Sequence, residues 1–227
     1  MIKFDNNNNN YNADIRKVSG RVASSLRDGY TISVLFAGVG GQGIILATTL
    51  LARAAIAEGF DVKVSEVHGM AQRGGSVEGS VRFGKKVLSP TTGCADFVVA
   101  LEKLEGLRFL GRLGENGLII INDYKIYPLS AYKKDSRYPD SIEQVVRQYS
   151  SGSIFVDAFG IAKELGESRA ANVVILGALS VFLPFGPGNW EEVIKTSVPA
   201  GARELNIKAF KAGREFITFY DRRGSCP

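Results

Sequence analysis

Two glycine-rich stretches gather the groups in this sequence that could do chemistry: GVGGQG, Gly38 to Gly43, and EVHGMAQRGGS, Glu66 to Ser76. Gly38, Gly40 and Gly43 satisfy the GxGxxG spacing between an apolar run and a helical pattern, the context in which that spacing carries meaning. Glycine lets the backbone turn tightly and approach a ligand. A helix starting there presents unpaired N–H groups and a partial positive charge to an anion, so a phosphate or a carboxylate suits the turn. The same glycines also serve a simpler purpose, close packing of helix on strand with no ligand. Gln42, with Gly41 beside it, is harder to assign to packing, because its amide offers donors and an acceptor to a ligand or a facing chain.

The second stretch sets Glu66, His68, Gly69, Met70, Ala71, Gln72, Arg73, Gly74, Gly75 and Ser76 in a run with neither helical nor strand period. A loop so rich in directed polar groups reads as an interface or substrate-facing loop. His68 is the single histidine. Without serine, cysteine or a second ligand in a recognisable arrangement, no residue is assigned a catalytic role and no metal site is expected. Glu66 stands roughly 20 residues beyond the first turn, where a dinucleotide-binding domain holds a ribose hydroxyl. A plain NAD domain, however, would begin its next helix where His68 to Gly75 stand, so only half of that fingerprint is present.

The elements between the turns place both at one sheet edge. Thr31 to Ala37 (TISVLFA) is a short apolar run of the kind that forms a strand buried on both faces. Gly43 to Glu58 is apolar nearly all round and stops at Gly59, which makes it a covered helix. Phe60 to Val67 supplies a second strand one crossover later. Ser76 to Phe83 alternates with period two and, with a turn at Gly84 to Lys86, predicts an antiparallel hairpin with the stretch that follows.

Further strands are expected at Asp96–Leu101, Leu118–Ile121 and Ser153–Asp157. Helices are expected at 102–113, 141–149, 158–165, 170–183, 190–197 (capped by Asn189) and 203–220, the last an amphipathic surface helix. The alternation implies a three-layer, Rossmann-like α/β domain with a mainly parallel, mixed sheet and its ligand edge at the strand carboxyl ends. Residues 1–29, polar and asparagine-rich, are expected to be a flexible extension with a short helix over 13–26. Residues 30–222 form the domain and 223–227 a tail.

Composition narrows the function classes. The chain has 227 residues, 45% of them apolar and 22% charged, and no run long enough to span a membrane. The asparagine run stands where a secretory signal would be apolar, so a cytoplasmic location is expected. The net charge of +5 is scattered. The Tyr and Lys stretch from Tyr124 to Tyr138 reads as a surface loop, since no RNA or DNA motif accompanies it. Cys94 and Cys226 are too few thiolates for a four-cysteine cluster or zinc site.

At GVGGQGI and SEVHGMAQRGGSV the sequence resembles the gamma-type subunit, or gamma domain, of 2-oxoacid:ferredoxin oxidoreductases, and within that group the beta-type chains of indolepyruvate enzymes. The resemblance runs from about Thr31 to Tyr220, through DFVVALEKLEGLRFL and NVVILGAL, and leaves out the asparagine-rich start. It implies a non-cofactor subunit in a complex that oxidatively decarboxylates a 2-oxoacid to an acyl-CoA and passes electrons to ferredoxin. Thiamine diphosphate, iron–sulfur clusters and CoA would then be held through partner subunits, with no nucleic acid and no membrane involved. The family motif falls on Gly38, Gly40 to Gly43, Glu66 and His68 to Ser76, which the resemblance sets against the thiamine-bearing partner. Two other readings stay open on the residues alone: a free-standing NAD- or FAD-binding protein using GVGGQG, and a structural interaction module with an empty turn.

Overall fold

The computed structural model describes residues 11–68, 74–91, 93–127, 138–150 and 152–224. Gly69, Met70, Ala71, Gln72 and Arg73 of the second stretch, and most of the Tyr and Lys segment, therefore lie outside the described residues. In chain order the elements are β1 (Tyr11–Asn12), α1 (Ile15–Arg27), β2 (Ile32–Val39), α2 (Ile44–Ala57), β3 (Asp61–His68), β4 (Ser76–Gly84), β5 (Ala95–Ala100), α3 (Lys103–Phe109), β6 (Leu113–Asn122), α4 (Ile142–Tyr149), β7 (Ser153–Val156), α5 (Ala158–Glu164), α6 (Ala171–Ser180), α7 (Pro187–Ser197) and α8 (Arg203–Gly224).

These strands make one seven-stranded sheet in the order β1-β7-β6-β5-β2-β4-β3. Strands β2, β5, β6 and β7 run parallel, while β4 opposes both β2 and β3, so β3 runs with the parallel set. The sheet is mixed and mainly parallel, as its alternating pattern implied. One face carries the larger core, where α2, α6, α7 and α8 cover Val34, Phe36, Val81 and Phe97. The other buries Leu35, Val98, Ile119 and Phe155 under α3 and α4. Helices on both faces of one sheet make the three-layer α/β architecture. Among the described residues no helix is long and apolar enough to cross a membrane.

The hairpin expectation is corrected. Strand β4 pairs not with the stretch after Gly84 but with β2 (Val34↔Val81) and β3 (Val64↔Val81). The carbonyls after Gly84 are occupied otherwise: Arg82 Nη1 donates to Ser89 O and Thr91 O, and Ser80 Oγ to Pro90 O. A backbone whose acceptors are taken by side chains has no ladder to offer.

Three helices also differ from their patterns. The helix over 13–26 forms at Ile15–Arg27, capped by Asp14, and sends Val22 and Leu26 into the core. Asn189 does not cap α7, which starts at Pro187 behind Gly186. Its amide instead donates to Ala54 O and Glu58 Oε1, tying α7 to the last turn of α2. Helix α8 is more than a surface helix, because Ala209, Phe210, Ala212, Phe216 and Ile217 are all buried. Its Gly213 lies so close to α6 that a Cβ would collide with the Val174 carbonyl, and Gly177 on α6 meets the Phe210 carbonyl in the same way.

Gly213→Ala is expected to force α6 and α8 apart and cost about 1–3 kcal/mol, the range for overpacking a tight core. A lowered midpoint in chemical unfolding checks it, and an unchanged midpoint contradicts it. At the other sheet end Asp96 accepts from Ser33 N–H at 2.8 Å, and burial pushes its carboxyl above the usual range. A carboxyl raised on folding stabilises the fold below its unfolded pKa and loses that contribution as pH rises through the folded value. Asp96→Asn, which keeps an acceptor without the charge, should be more stable than wild type at pH 7. The gap should close as the pH falls to about 4; a gap constant with pH in thermal melts contradicts this.

Candidate functional site

The carboxyl ends of β2 and β3 point to one edge, and the start of β4 lies between them. Val39 faces Ser76 across one ladder and His68 faces Val77 across the other. The seam is closed by Gly40 N–H donating to Gly75 O at 2.9 Å. The two stretches are thus joined into one structure, with Gly38, Gly40, Gly41, Gln42 and Gly43 on one side and Glu66, His68, Gly74, Gly75 and Ser76 on the other. Gly41, Gly43 and Gly74 have positive φ of 102°, 80° and 74°, a region that side chains other than glycine's rarely enter.

Two glycines of the turn are required by neighbouring amides. A Cβ on Gly43 would strike the Asn172 side chain, whose Nδ2 donates to Gly43 O at 3.0 Å. A Cβ on Gly38 would stand 2.8 Å from Gln42 Oε1. Gln42 is the larger surprise. Its Oε1 accepts from Val39 N–H at 2.7 Å and its Nε2 donates to Leu101 O at 2.8 Å. The amide read as an offer to a ligand or facing chain is engaged within the chain at both ends, where it ties β2 to the residue after β5.

Leu101 O accepts a second amide, Asn122 Nδ2 at 3.1 Å, and Asn122 Oδ1 takes the N–H groups of Ala158 and Phe159 at 3.0 and 3.3 Å. One chain of side-chain amides therefore runs from β2 across β5 and β6 to the start of α5. It spans the point where the connections diverge, α2 leaving to one face and α3 to the other. Such a switch point is where open α/β sheets bind ligands. A cavity of about 160 Å³ opens there between Gln42, Asn122, Asn172 and the stacked rings of Tyr124 and Phe159, 4.2 Å apart. A larger one of about 410 Å³ lies on the other side of the turn, lined by Val39, Gly40, Gly43, Ile44, Ile45 and Val77. Its walls are apolar side chains and glycine backbone.

Glu66 is not at a ribose position. Strand β4 stands between β2 and β3, which puts Glu66 two strand spacings, roughly 10 Å, from the first turn's strand. Its Oε1 accepts from Thr48 Oγ1 of α2 at 3.1 Å.

The acids that shape the edge were not singled out in the sequence. Glu102, buried, caps α3 by accepting Glu105 N–H and also takes Ile126 N–H and Tyr138 OH, at 3.0, 3.1 and 2.5 Å. Burial, then the Glu102 carboxylate, holds the Tyr138 phenol well above its ordinary value. Glu105, 2% exposed, accepts from Ser76 Oγ and pairs with Arg108, both at 2.5 Å. The only available signal was two acids three residues apart directly after a buried strand. Among the described residues no group of three or more His, Cys, Asp or Glu side chains could hold a metal.

A family model described as pyruvate ferredoxin/flavodoxin oxidoreductase matches residues 33–216. The indolepyruvate oxidoreductase subunit IorB of Archaeoglobus fulgidus is 40% identical over 188 residues, which cover 80% of this chain and 93% of that protein. The IorB of Thermococcus kodakarensis is 38% identical over the same length and shares. Among solved structures, the gamma subunit of a keto/oxoacid ferredoxin oxidoreductase from Geobacter sulfurreducens superposes with a TM-score of 0.62 at 25% identity, covering 83% of this chain and 99% of that one.

Gln42→Glu keeps an acceptor for Val39 N–H but turns a carboxylate oxygen toward the Leu101 carbonyl. Leaving that bond unmade is expected to cost about 1–3 kcal/mol. Equilibrium unfolding measures it; a variant as stable as wild type would show that the amide bridge is not needed.

Proposed function

Because the chain belongs to the pyruvate ferredoxin/flavodoxin oxidoreductase family, we propose that it is the non-cofactor subunit of an indolepyruvate:ferredoxin oxidoreductase. In that role it supports oxidative decarboxylation of an aryl 2-oxoacid to an acyl-CoA, with the electrons leaving to ferredoxin. The observation that carries the reading is the agreement of a likeness to IorB proteins over 80% of this chain and 93% of theirs with the Gly40–Gly75 seam. The described end of the second motif, Gly74 to Ser76, meets the first motif at one edge, flanked by an apolar cavity.

What this chain contributes is a wall. The glycine turn brings backbone close to whatever occupies the edge, and the amide chain through Gln42, Leu101 and Asn122 keeps that backbone in place. The polar run from Glu66 to Ser76, with His68, Met70, Gln72 and Arg73, faces the thiamine-bearing subunit in this reading. The chain's own donors do not fit an iron–sulfur cluster, since two cysteines cannot supply four thiolates. Clusters and thiamine diphosphate are therefore assigned to partner chains, and CoA to a site that the partner completes. The seat of action is taken to be the cytoplasm.

The dinucleotide reading has lost its geometry. It needs the strand that follows the crossover helix to lie beside the glycine turn's own strand with its acid at the end, but the antiparallel β4 stands between β2 and β3, and Glu66 of β3 is bonded to Thr48.

Purified alone, the chain should oxidise no 2-oxoacid. Mixed with the thiamine- and cluster-bearing subunit, it should restore arylpyruvate- and CoA-dependent reduction of ferredoxin. Turnover by the isolated chain, or tight NAD or FAD binding weakened by Glu66→Ala, would overturn the proposal.

A further inference from the structure

Two carboxylates one turn apart on a short helix are buried where ions are costly. Glu102 and Glu105 are 1% and 2% exposed, and a buried carboxylate is tolerated only when hydrogen bonds replace its water. Capping α3 requires one acceptor, which Glu102 supplies through Glu105 N–H. The remaining bonds all reach out of the helix to the sheet's carboxyl edge, or to the cation that balances Glu105.

Glu105 grips the seam. Its Oε2 accepts from Ser76 Oγ, and Oε1 is balanced by Arg108. Ser76 is the ladder partner of Val39, and the carbonyl of the preceding Gly75 receives Gly40 N–H. The route from α3 to the first glycine turn is thus one side-chain hydrogen bond, one peptide unit and one backbone hydrogen bond. Glu102 grips the loop on the other side. Its Oε1 receives both Ile126 N–H and Tyr138 OH, so one oxygen holds two points of the Tyr and Lys segment that are distant in sequence. Tyr138 in turn carries the Tyr127 ring at 5.5 Å and the Lys125 ammonium at 5.2 Å. That segment leaves the end of β6, at the same edge as the seam.

We infer that Glu102 and Glu105 are positioning residues for the reaction edge: Glu105 sets the seam between the two glycine turns through Ser76, Glu102 sets Ile126 and Tyr138, and α3 holds the two in fixed relation. The inference rests on the reading of this edge as a wall completed by a partner. It gives Ile126 and Tyr138 a role that charge and aromaticity alone did not: Glu102 holds both, and Ile126 lines the cavity beside Gln42 at the same edge. Neither acid touches a reacting group; each acts through the residues it holds.

The test uses the full chain alone and in complex. Wild type, Glu105→Ala, Glu105→Gln, Ser76→Ala and the Glu105→Ala/Ser76→Ala pair are compared by hydrogen exchange at the Gly40 amide and, with the thiamine-bearing subunit, by kcat and KM for the 2-oxoacid. Tyr138→Phe reports on the Glu102 limb. Glu105→Ala should speed exchange at Gly40 and lower kcat about tenfold with KM unchanged, as small misplacements of positioning groups do. Ser76→Ala should match it, the pair should be no worse than either single change, and Glu105→Gln, which keeps an oxygen for Ser76, should recover most of the loss. Tyr138→Phe should lower kcat without altering exchange at Gly40.

Unchanged exchange at Gly40 in Glu105→Ala overturns the inference, as does Glu105→Gln behaving no better than Glu105→Ala. So does a kcat loss that merely follows the fall in Tm across all variants. A wild-type chain that supports no turnover with the partner sinks the subunit reading and the kinetic half of the inference, while exchange at Gly40 still decides the positional half.

Discussion

The carbonyl of Leu101 accepts two side-chain amides, and the architecture of the edge depends on it. At a switch point the chain leaves neighbouring strands for opposite faces, so the backbone cannot close the gap that opens beyond the last ladder bond. Here Gln42 approaches from β2 and Asn122 from β6, and both meet on the one oxygen that β5 leaves at its end. The amide is suited to this because it carries a donor and an acceptor on one rigid plane. Gln42 uses its acceptor on Val39 N–H and Asn122 uses its own on the first amides of α5, so each bridge fixes a helix or turn as well as a strand. Buried polar networks of this kind are rigid when every member is satisfied.

The second constraint is the intrusion of β4. An antiparallel strand between two parallel ones separates the glycine turn from Glu66, which removes the dinucleotide geometry. It also brings Gly75 against Gly40, which no parallel crossover could do, because a strand entering from that edge must begin beside the turn. The intruding strand needs a small residue on its α2 face. Gly79, opposite Glu66, admits Thr48 of α2 so closely that a Cβ would stand 2.8 Å from Thr48 Cγ2, and that approach lets the Thr48 hydroxyl reach the Glu66 carboxylate. The same strand that ends one possible function thus builds the edge of the other.

Legibility followed the range of the interactions. Strands β2 and β5, the covered helix α2 and the alternation of β4 were readable because burial repeats locally with the period of the element. The meeting of the two turns was readable too, since one crossover returns a chain to the same edge. Strand partners were not, because β4 carries the same alternation whether it pairs forward or backward, and the bonds of Arg82 and Ser80 to the carbonyls that follow Gly84 leave no mark on that pattern. The close packing of α8 was hidden in Gly213, which a hydrophobicity pattern scores as a gap. Gln42 was noticed for its amide, but its partners within the chain were not foreseen: an amide beside a glycine turn satisfies a ligand and a carbonyl 59 residues away equally well on paper. Glu102 and Glu105 look in sequence like the solvated face of a short helix.

The remaining apolar exposure is consistent with a chain that works against another surface. Helix α2, apolar nearly all round, has α6, α7 and the sheet for neighbours but leaves Ile45 and Ile56 more than half exposed, and β3, an edge strand, leaves Val64 and Val67 uncovered. Ile45 also lines the cavity beside the glycine turn, so this exposure reaches the edge where the two motifs meet. A single exposed isoleucine needs no explanation. Exposure that touches the same edge as the seam, where the Gln42–Leu101–Asn122 bridge holds the backbone in place, fits a subunit that presents a fixed surface to a partner.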